Sequence, residues 1–204
     1  MERPNIFQDE YSSPLSRLEK KATANEIFSG YEIKEPIGIT KTFVILTGIP
    51  GSGKSTVASY LSEKYGFNQV ATDSIKLFLL ARGQKFAKSD LFNIQTNLFK
   101  KLLKRELNVI SDSNSALSVH RQKLKRLAQE YNHKSYNIYI KCDPEICFHR
   151  VISRDHVVEQ DMRDRWHRKI IKYFSELQIP RNSIVVDGDK TQEEIQKKLE
   201  SAIK

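Results

Sequence analysis

The sequence predicts an α/β fold with a five-stranded, mostly parallel sheet flanked by helices on both faces. Three observations predict it. From Thr42 onward, short apolar runs alternate with longer helical patterns, as a parallel sheet covered on both faces requires. The first run, Phe43 to Thr47, leads directly into Gly48-Ile-Pro-Gly-Ser-Gly-Lys-Ser55, which fits the phosphate-binding pattern G-x-x-x-x-G-K-[ST]. Beyond that loop, Val57, Leu61 and Tyr65 recur at spacing four, the stripe of an amphipathic helix. A strand, a glycine-rich loop and a helix in that order open the sheet of a P-loop NTPase.

The elements follow in order. Candidate strands are Phe43 to Thr47, Phe67 to Ala71, Asn108 to Ser111, Tyr136 to Lys141 and Ser183 to Val186, each a short apolar run, with helices between them. The longest helical pattern runs from Ser89 to Leu107, where Leu91, Ile94, Leu98 and Leu102 form one apolar stripe with Phe92 and Phe99 beside it. Helical spacing favours core packing for the two phenylalanines over base stacking. At 204 residues the chain suits one domain. Residues 1–40 read as an N-terminal extension and 41–204 as the domain itself. The extension is polar and Pro-containing at its start, allows a short helix from Ser16 to Tyr31, and is expected to dock on the core or to contact a protein partner.

Composition narrows the setting. No apolar run approaches the ~20 residues that span a bilayer, and the start of the chain has no apolar signal region. A cytoplasmic protein with no membrane partner is expected. Cys142 and Cys147 match no metal-binding spacing and read as reduced thiols. The net charge of +9 is unevenly placed: between Lys76 and Arg105 stand eight Lys/Arg against Asp90 alone. That block is either an anion-binding surface or the solvated face of a helix.

The loop residues each have a physical duty. In the loop formed by Gly48, Pro50, Gly51, Ser52 and Gly53, the glycines let backbone N–H groups curl around phosphate oxygens, and Lys54 reaches the β and γ phosphates. Ser55, followed by Thr56, supplies a hydroxyl for Mg2+, and the helix beginning there turns its positive end toward the anion. Three further positions bear on the reaction. Asp73 follows the second strand, where ligands bind in open parallel sheets, and can act as a general base or as a helix N-cap. Asp112 ends a strand at a Walker B position, with Asn114 two residues on, and can hold the metal. Arg150 and Arg154 lie at spacing four on one helix face, and the charge-dense stretch after them has the pattern of a lid over about 154–172. The nearest string to a guanine-reading Asn-Lys-x-Asp motif is Asn132-His-Lys-Ser, which lacks the acid. Asp187-Gly-Asp-Lys-Thr191 imitates a phosphatase nucleophile motif, but too few residues follow it, and it reads as a strand end and turn.

Taken together, Gly48 to Thr56, Thr72-Asp73, Ile110 to Asn114, Arg121, Leu127 to Tyr131 and Arg150/Arg154 resemble, in order and spacing, the P-loop kinases that include bacteriophage-type polynucleotide 5′-hydroxyl kinase and the zeta-toxin-like proteins. The resemblance covers about residues 42 to 172. It implies ATP-dependent, Mg2+-assisted phosphorylation of a hydroxyl. Lys54, Asp73, Arg150 and Arg154 would be catalytic, with Asp73 the base. The loop would hold ATP, and Ser55 with Asp112 the metal. Asp73, Lys76, Arg121 and Asn114 would contact the acceptor. A nucleic acid end is the acceptor implied first, with the basic surface 76–105 beside it. Where polynucleotide kinases carry an arginine three residues after the base, this chain has Lys76, which keeps a charge but loses the bidentate fork. Relatives of this architecture act on small molecules or aminoacyl-tRNA, which gives a second expectation. A third is a nucleotide-dependent switch without catalysis.

Overall fold

The structure is a computed structural model that describes residues 14–113 and 117–203. Five strands form one sheet: β1 (Thr42–Thr47), β2 (Asn68–Ala71), β3 (Val109–Asp112), β4 (Lys134–Lys141) and β5 (Ile184–Asp187), in the order β2-β3-β1-β4-β5. Every neighbouring pair is parallel, so the sheet is wholly rather than mostly parallel. All six residues of β1 are buried, because helices cover both faces of the central strand. Eight helices accompany the strands among the described residues: α1 (Arg17–Ser29), α2 (Lys54–Tyr65), α3 (Thr72–Ala81), α4 (Lys88–Leu103), α5 (Ser118–Glu130), α6 (Pro144–Arg154), α7 (Gln160–Ser175) and α8 (Gln192–Ala202).

Alternation along β1 divides the core. Phe43 and Ile45 face the side covered by α1, α3, α4 and α5, and Val44 and Leu46 face the side of α2 and α8. The stripe on α4 is buried as its spacing predicts, and Phe99 lies against Phe43 with ring centroids 5.0 Å apart. Phe92 is only half-buried and stacks on His120 of α5. The α4 helix stops at Leu103, short of Leu107, because Glu106 takes a left-handed φ of 61° that ends the turn. A third, smaller core cluster of Ile49, Cys142, Cys147, Val151, Trp166 and Ile170 seats α6 and α7 beside the glycine-rich loop.

Residues 14–40 pack onto the domain. Ser16 caps α1 in a reciprocal box with Glu19, Ala24 is fully buried in the α4-side core, and Lys20 meets the buried Asp90 at 2.9 Å. Further on, the Tyr31 hydroxyl donates to the Gln69 carbonyl at 2.7 Å, and Lys34 and Asn68 exchange two hydrogen bonds. Register then fixes where chemistry can occur. Ala71 pairs with Asp112 and Lys141 with Asp187, so the loops after every strand leave one edge of the sheet. The chain runs from β1 to β2 on one side and crosses to β4 on the other, which makes that edge beside β1 the switch point where ligands bind.

Candidate active site

The loop between β1 and α2 holds its shape through backbone packing. Gly51 has φ +84°, and a Cβ there would lie 2.4 Å from the Cys147 carbonyl oxygen of α6. Gly53, at φ 100°, is the N-cap of α2 and provides no side-chain cap, so the first-turn N–H groups are left for an anion. The buried Ser52 hydroxyl has no hydrogen-bond partner among the described residues. Lys54 folds back over the loop and donates to the carbonyls of Gly48 at 2.9 Å and Ile49 at 2.8 Å. Burial pushes its pKa down, and the negative charges of Asp112 and Asp73 partly oppose that shift. Pro50 and Thr56 lie within the loop and on the first turn of α2, as expected.

Asp112 closes β3 and is buried at 8 % exposure. One of its oxygens accepts from the Ser55 hydroxyl at 3.0 Å and from the Gln69 side-chain amide at 2.6 Å. A hydroxyl and a carboxylate held together are hard oxygen donors suited to Mg2+. Among the described residues no group of three or more His, Cys, Asp or Glu could hold a metal ion, so an ion here would rely on Ser55, Asp112 and the oxygens of its nucleotide. Gln69 is a site residue that the sequence reading missed. A lone glutamine on a short strand carries no motif, and only the β2–β3 pairing brings it to Asp112.

Asp73 is the second residue of α3, whose N-cap is Ala71, so the aspartate does not cap the helix. It is exposed at the sheet edge. Lys76, one turn later, is 7 % exposed. The second missed residue is Lys169 on α7. Burial lowers its pKa, the negative charge of Asp73 opposes that shift, and Lys76 and Lys88 reinforce it. Its ammonium also sits 4.4 Å from the centre of the buried Trp166 ring. One signal was available, the Trp166-x-x-Lys169 spacing inside a charge-dense helix, but that pattern is common on solvated helices.

The arginines divide their attention. Arg150 and Arg154 line one open groove on the outer face of α6, consistent with their spacing. Arg154 makes two hydrogen bonds to the adjacent Asp155, at 2.8 and 3.1 Å, which raise its pKa. Arg150 instead reaches across to the turn after β5, donating to the Gly188 carbonyl at 3.0 Å with Asp189 at 3.8 Å. That turn belongs to the loop's wall, since a Cβ on Gly188 would lie 2.5 Å from the Ser52 carbonyl. Thr191 caps α8 with Glu194, as a strand-end turn predicts. Arg121 is buried, and its guanidinium donates to the Gln178 carbonyl at 2.6 Å. Asn114 lies outside the described residues. No helix among the described residues is long and apolar enough to cross a membrane.

Residues 43–177, from the first strand to just past α7, match the family described as AAA domain. A cytidylate kinase of Sulfolobus acidocaldarius is 29% identical over 148 residues, which span 64% of this chain and 75% of the relative. Two solved structures share the fold. A gluconokinase from Sinorhizobium meliloti 1021 superposes with a TM-score of 0.57 at 16% identity, covering 78% of this chain and 89% of the other. Kti12 of Chaetomium thermophilum, in complex with ADP-AlF3, gives 0.57 at 18% identity, covering 79% and 99%. With its phosphate loop, parallel sheet and matched span of 43–177, the chain belongs to the AAA domain family of P-loop proteins.

Proposed function

We propose that this protein is an ATP-dependent kinase that transfers the γ-phosphoryl group to a hydroxyl, with Asp73 as general base. The observation that carries this reading is the exposed Asp73 carboxylate in the field of Lys54, Lys169 and Arg154 at the carboxyl edge of the sheet. A hydroxyl must lose a proton as it attacks, and a carboxylate at that point accepts it. A phosphate acceptor needs no base and would be repelled by one. The kinase names of the cytidylate kinase and gluconokinase relatives support phosphoryl transfer, and Kti12 with ADP-AlF3 supports a nucleotide at the loop.

The residues divide the work. Lys54 exchanges the carbonyls of Gly48 and Ile49 for phosphate oxygens, a move of one side chain with no backbone rearrangement. The uncapped first turn of α2 binds the same anion. Ser55 and Asp112 would hold Mg2+, which neutralises charge on the phosphates when bound. Arg154 releases Asp155 and closes on the transferring group, while Arg150 steadies the wall at Gly188.

A polynucleotide 5′-hydroxyl end is the acceptor this arrangement suits first, because Lys169 beside Asp73, with Lys88 near it, puts positive charge where the neighbouring internucleotide phosphate would lie. Two observations favour a second reading, a small molecule or aminoacyl-tRNA. Lys76 is buried, and Arg121 is committed to the Gln178 carbonyl. Labelled ATP offered with 5′-hydroxyl DNA and RNA oligonucleotides, with a panel of small hydroxyl compounds and with CMP separates these readings. Label on an oligonucleotide end supports the first, and label on a small hydroxyl compound alone supports the second. Label on CMP would sink the hydroxyl assignment. ATP binding without transfer to any acceptor would point to the switch.

A further inference from the structure

The basic block between Lys76 and Arg105 separates in the fold. Lys76 and Lys88 share the surroundings of Asp73 and Lys169. Lys100, Lys101 and Lys104 lie at the other end of α4, roughly 20 Å away at 1.5 Å per residue. There they face Arg17 and Lys21 of α1 across a groove of about 340 Å³ that no carboxylate among the described residues lines. The acids of these two helices are engaged elsewhere: Glu19 in the Ser16 cap, Glu26 with Arg82, and Asp90 with Lys20. Among the described residues none of the five groove cations forms an ion pair with a carboxylate.

Helix stability accounts for only part of this charge. Lysines at the carboxyl end of α4 suit its dipole, but Arg17 is the first residue of α1, where the dipole disfavours a cation. Arg17 and Lys21, like Lys100 and Lys104, are four residues apart, so each helix presents a ladder of cations ~5–6 Å apart at Cβ. Asn25, Asn97 and Tyr131 complete the lining. We propose that this groove docks the phosphate backbone of a nucleic acid, at a place separate from the reaction edge. Two cation ladders match a chain of regularly repeated phosphates, the amides add neutral hydrogen bonds, and Tyr131 offers a face for a base. Among the described residues no aliphatic side chain lines the groove to anchor an acidic polypeptide.

The inference does not depend on the acceptor, because binding is read without ATP. Fluorescence anisotropy of a labelled 20-nucleotide single-stranded RNA is measured against salt with the full chain. Four to five neutralised phosphates predict a slope of log K against log salt of about −3. Lys100→Glu with Lys104→Glu is expected to weaken binding about tenfold or more and to flatten the slope by about 1.4. The neutral pair Lys100→Gln and Lys104→Gln should give a smaller loss in the same direction. Lys197→Glu with Lys198→Glu on α8, the same change in net charge, should leave binding within about twofold. A slope near zero, or equal losses from the α4 and α8 pairs, would overturn the proposal. So would polyglutamate displacing the RNA at equal charge, which would assign the groove to an acidic protein.

Discussion

The phosphate loop packs against the middle of α6 and Arg154 ends that helix, so both bring cations to α6, but they hold them differently. Lys54 is tied to two backbone carbonyls of its own loop, and the loop is fixed against Cys147 and Gly188 by contacts that admit no Cβ. Arg154 is half-exposed and, among the described residues, is bound to the carboxylate next to it in sequence. Carbonyls are weaker partners for an ammonium than a phosphate is, so nucleotide binding at the loop exchanges one set of partners within a finished cradle. The lid must first give up an ion pair. On the proposed reading, affinity for the nucleotide would reside in the loop, and Arg154 would contribute to the rate.

The largest effect should come from the loop. Lys54→Ala removes the side chain aimed at the phosphates and is expected to lower kcat/KM for ATP about 10³-fold. Gly51→Ala should weaken nucleotide binding without touching any charge, because its Cβ meets the Cys147 carbonyl. Titration of a fluorescent ATP analogue checks both, and wild-type affinity in either variant would break the assignment of affinity to the loop. Asp73→Asn comes next, with kcat reduced about 10²- to 10⁴-fold. Its ATP affinity should be unchanged, since base and loop are separate. A parallel loss of ATP affinity would show that Asp73 instead supports the loop through its field on Lys54.

The same division explains what could be read before the fold was seen. The central strand β1 was legible because a strand covered on both faces reads as a continuous apolar run, and all five strands fall within one or two residues of their expected places. Gly48 to Ser55 was legible because its function lies in consecutive backbone. Asp112 and Ser55 were each read singly, and the structure joins them at 3.0 Å. Gln69 and Lys169 were not legible, since each reaches the site only through strand pairing or the docking of α7. The basic block read as one surface, and nothing in a linear run of lysines reveals that α4 carries its two ends to different places. The docking of α1 also depends on tertiary contacts, with Ala24 and the Lys20–Asp90 pair invisible as a motif.

The lid side of the comparison is tested by two changes of opposite kind. Arg154→Ala should lower kcat about 10²-fold or more while leaving ATP affinity within a few-fold. Asp155→Asn removes the carboxylate to which Arg154 donates and should change ATP affinity less than about fivefold, the scale of a partly exposed ion pair. If Asp155→Asn cost as much rate as Arg154→Ala, the pair would be a positioning device and not a latch. Rapid-quench measurement of the first turnover separates these outcomes from product release.

The smallest expected effect lies in α6, the element that both regions share. Asp143 caps this helix, accepting from the backbone N–H groups of Glu145 at 2.8 Å and Ile146 at 3.4 Å. Cys142 and Cys147 stand just before the cap and one turn inside it, where side chains meet across a helix start. Loss of the cap in Asp143→Ala should cost about 1 kcal/mol, a fall of roughly 2–4 °C in Tm for a chain of this length. Because the Cys147 carbonyl supports Gly51 while Arg154 ends the same helix, fraying should loosen both sides together. ATP affinity and kcat should therefore fall by similar small factors. A variant that lost kcat alone would mean that α6 transmits only to the lid, and that the loop keeps its shape without it.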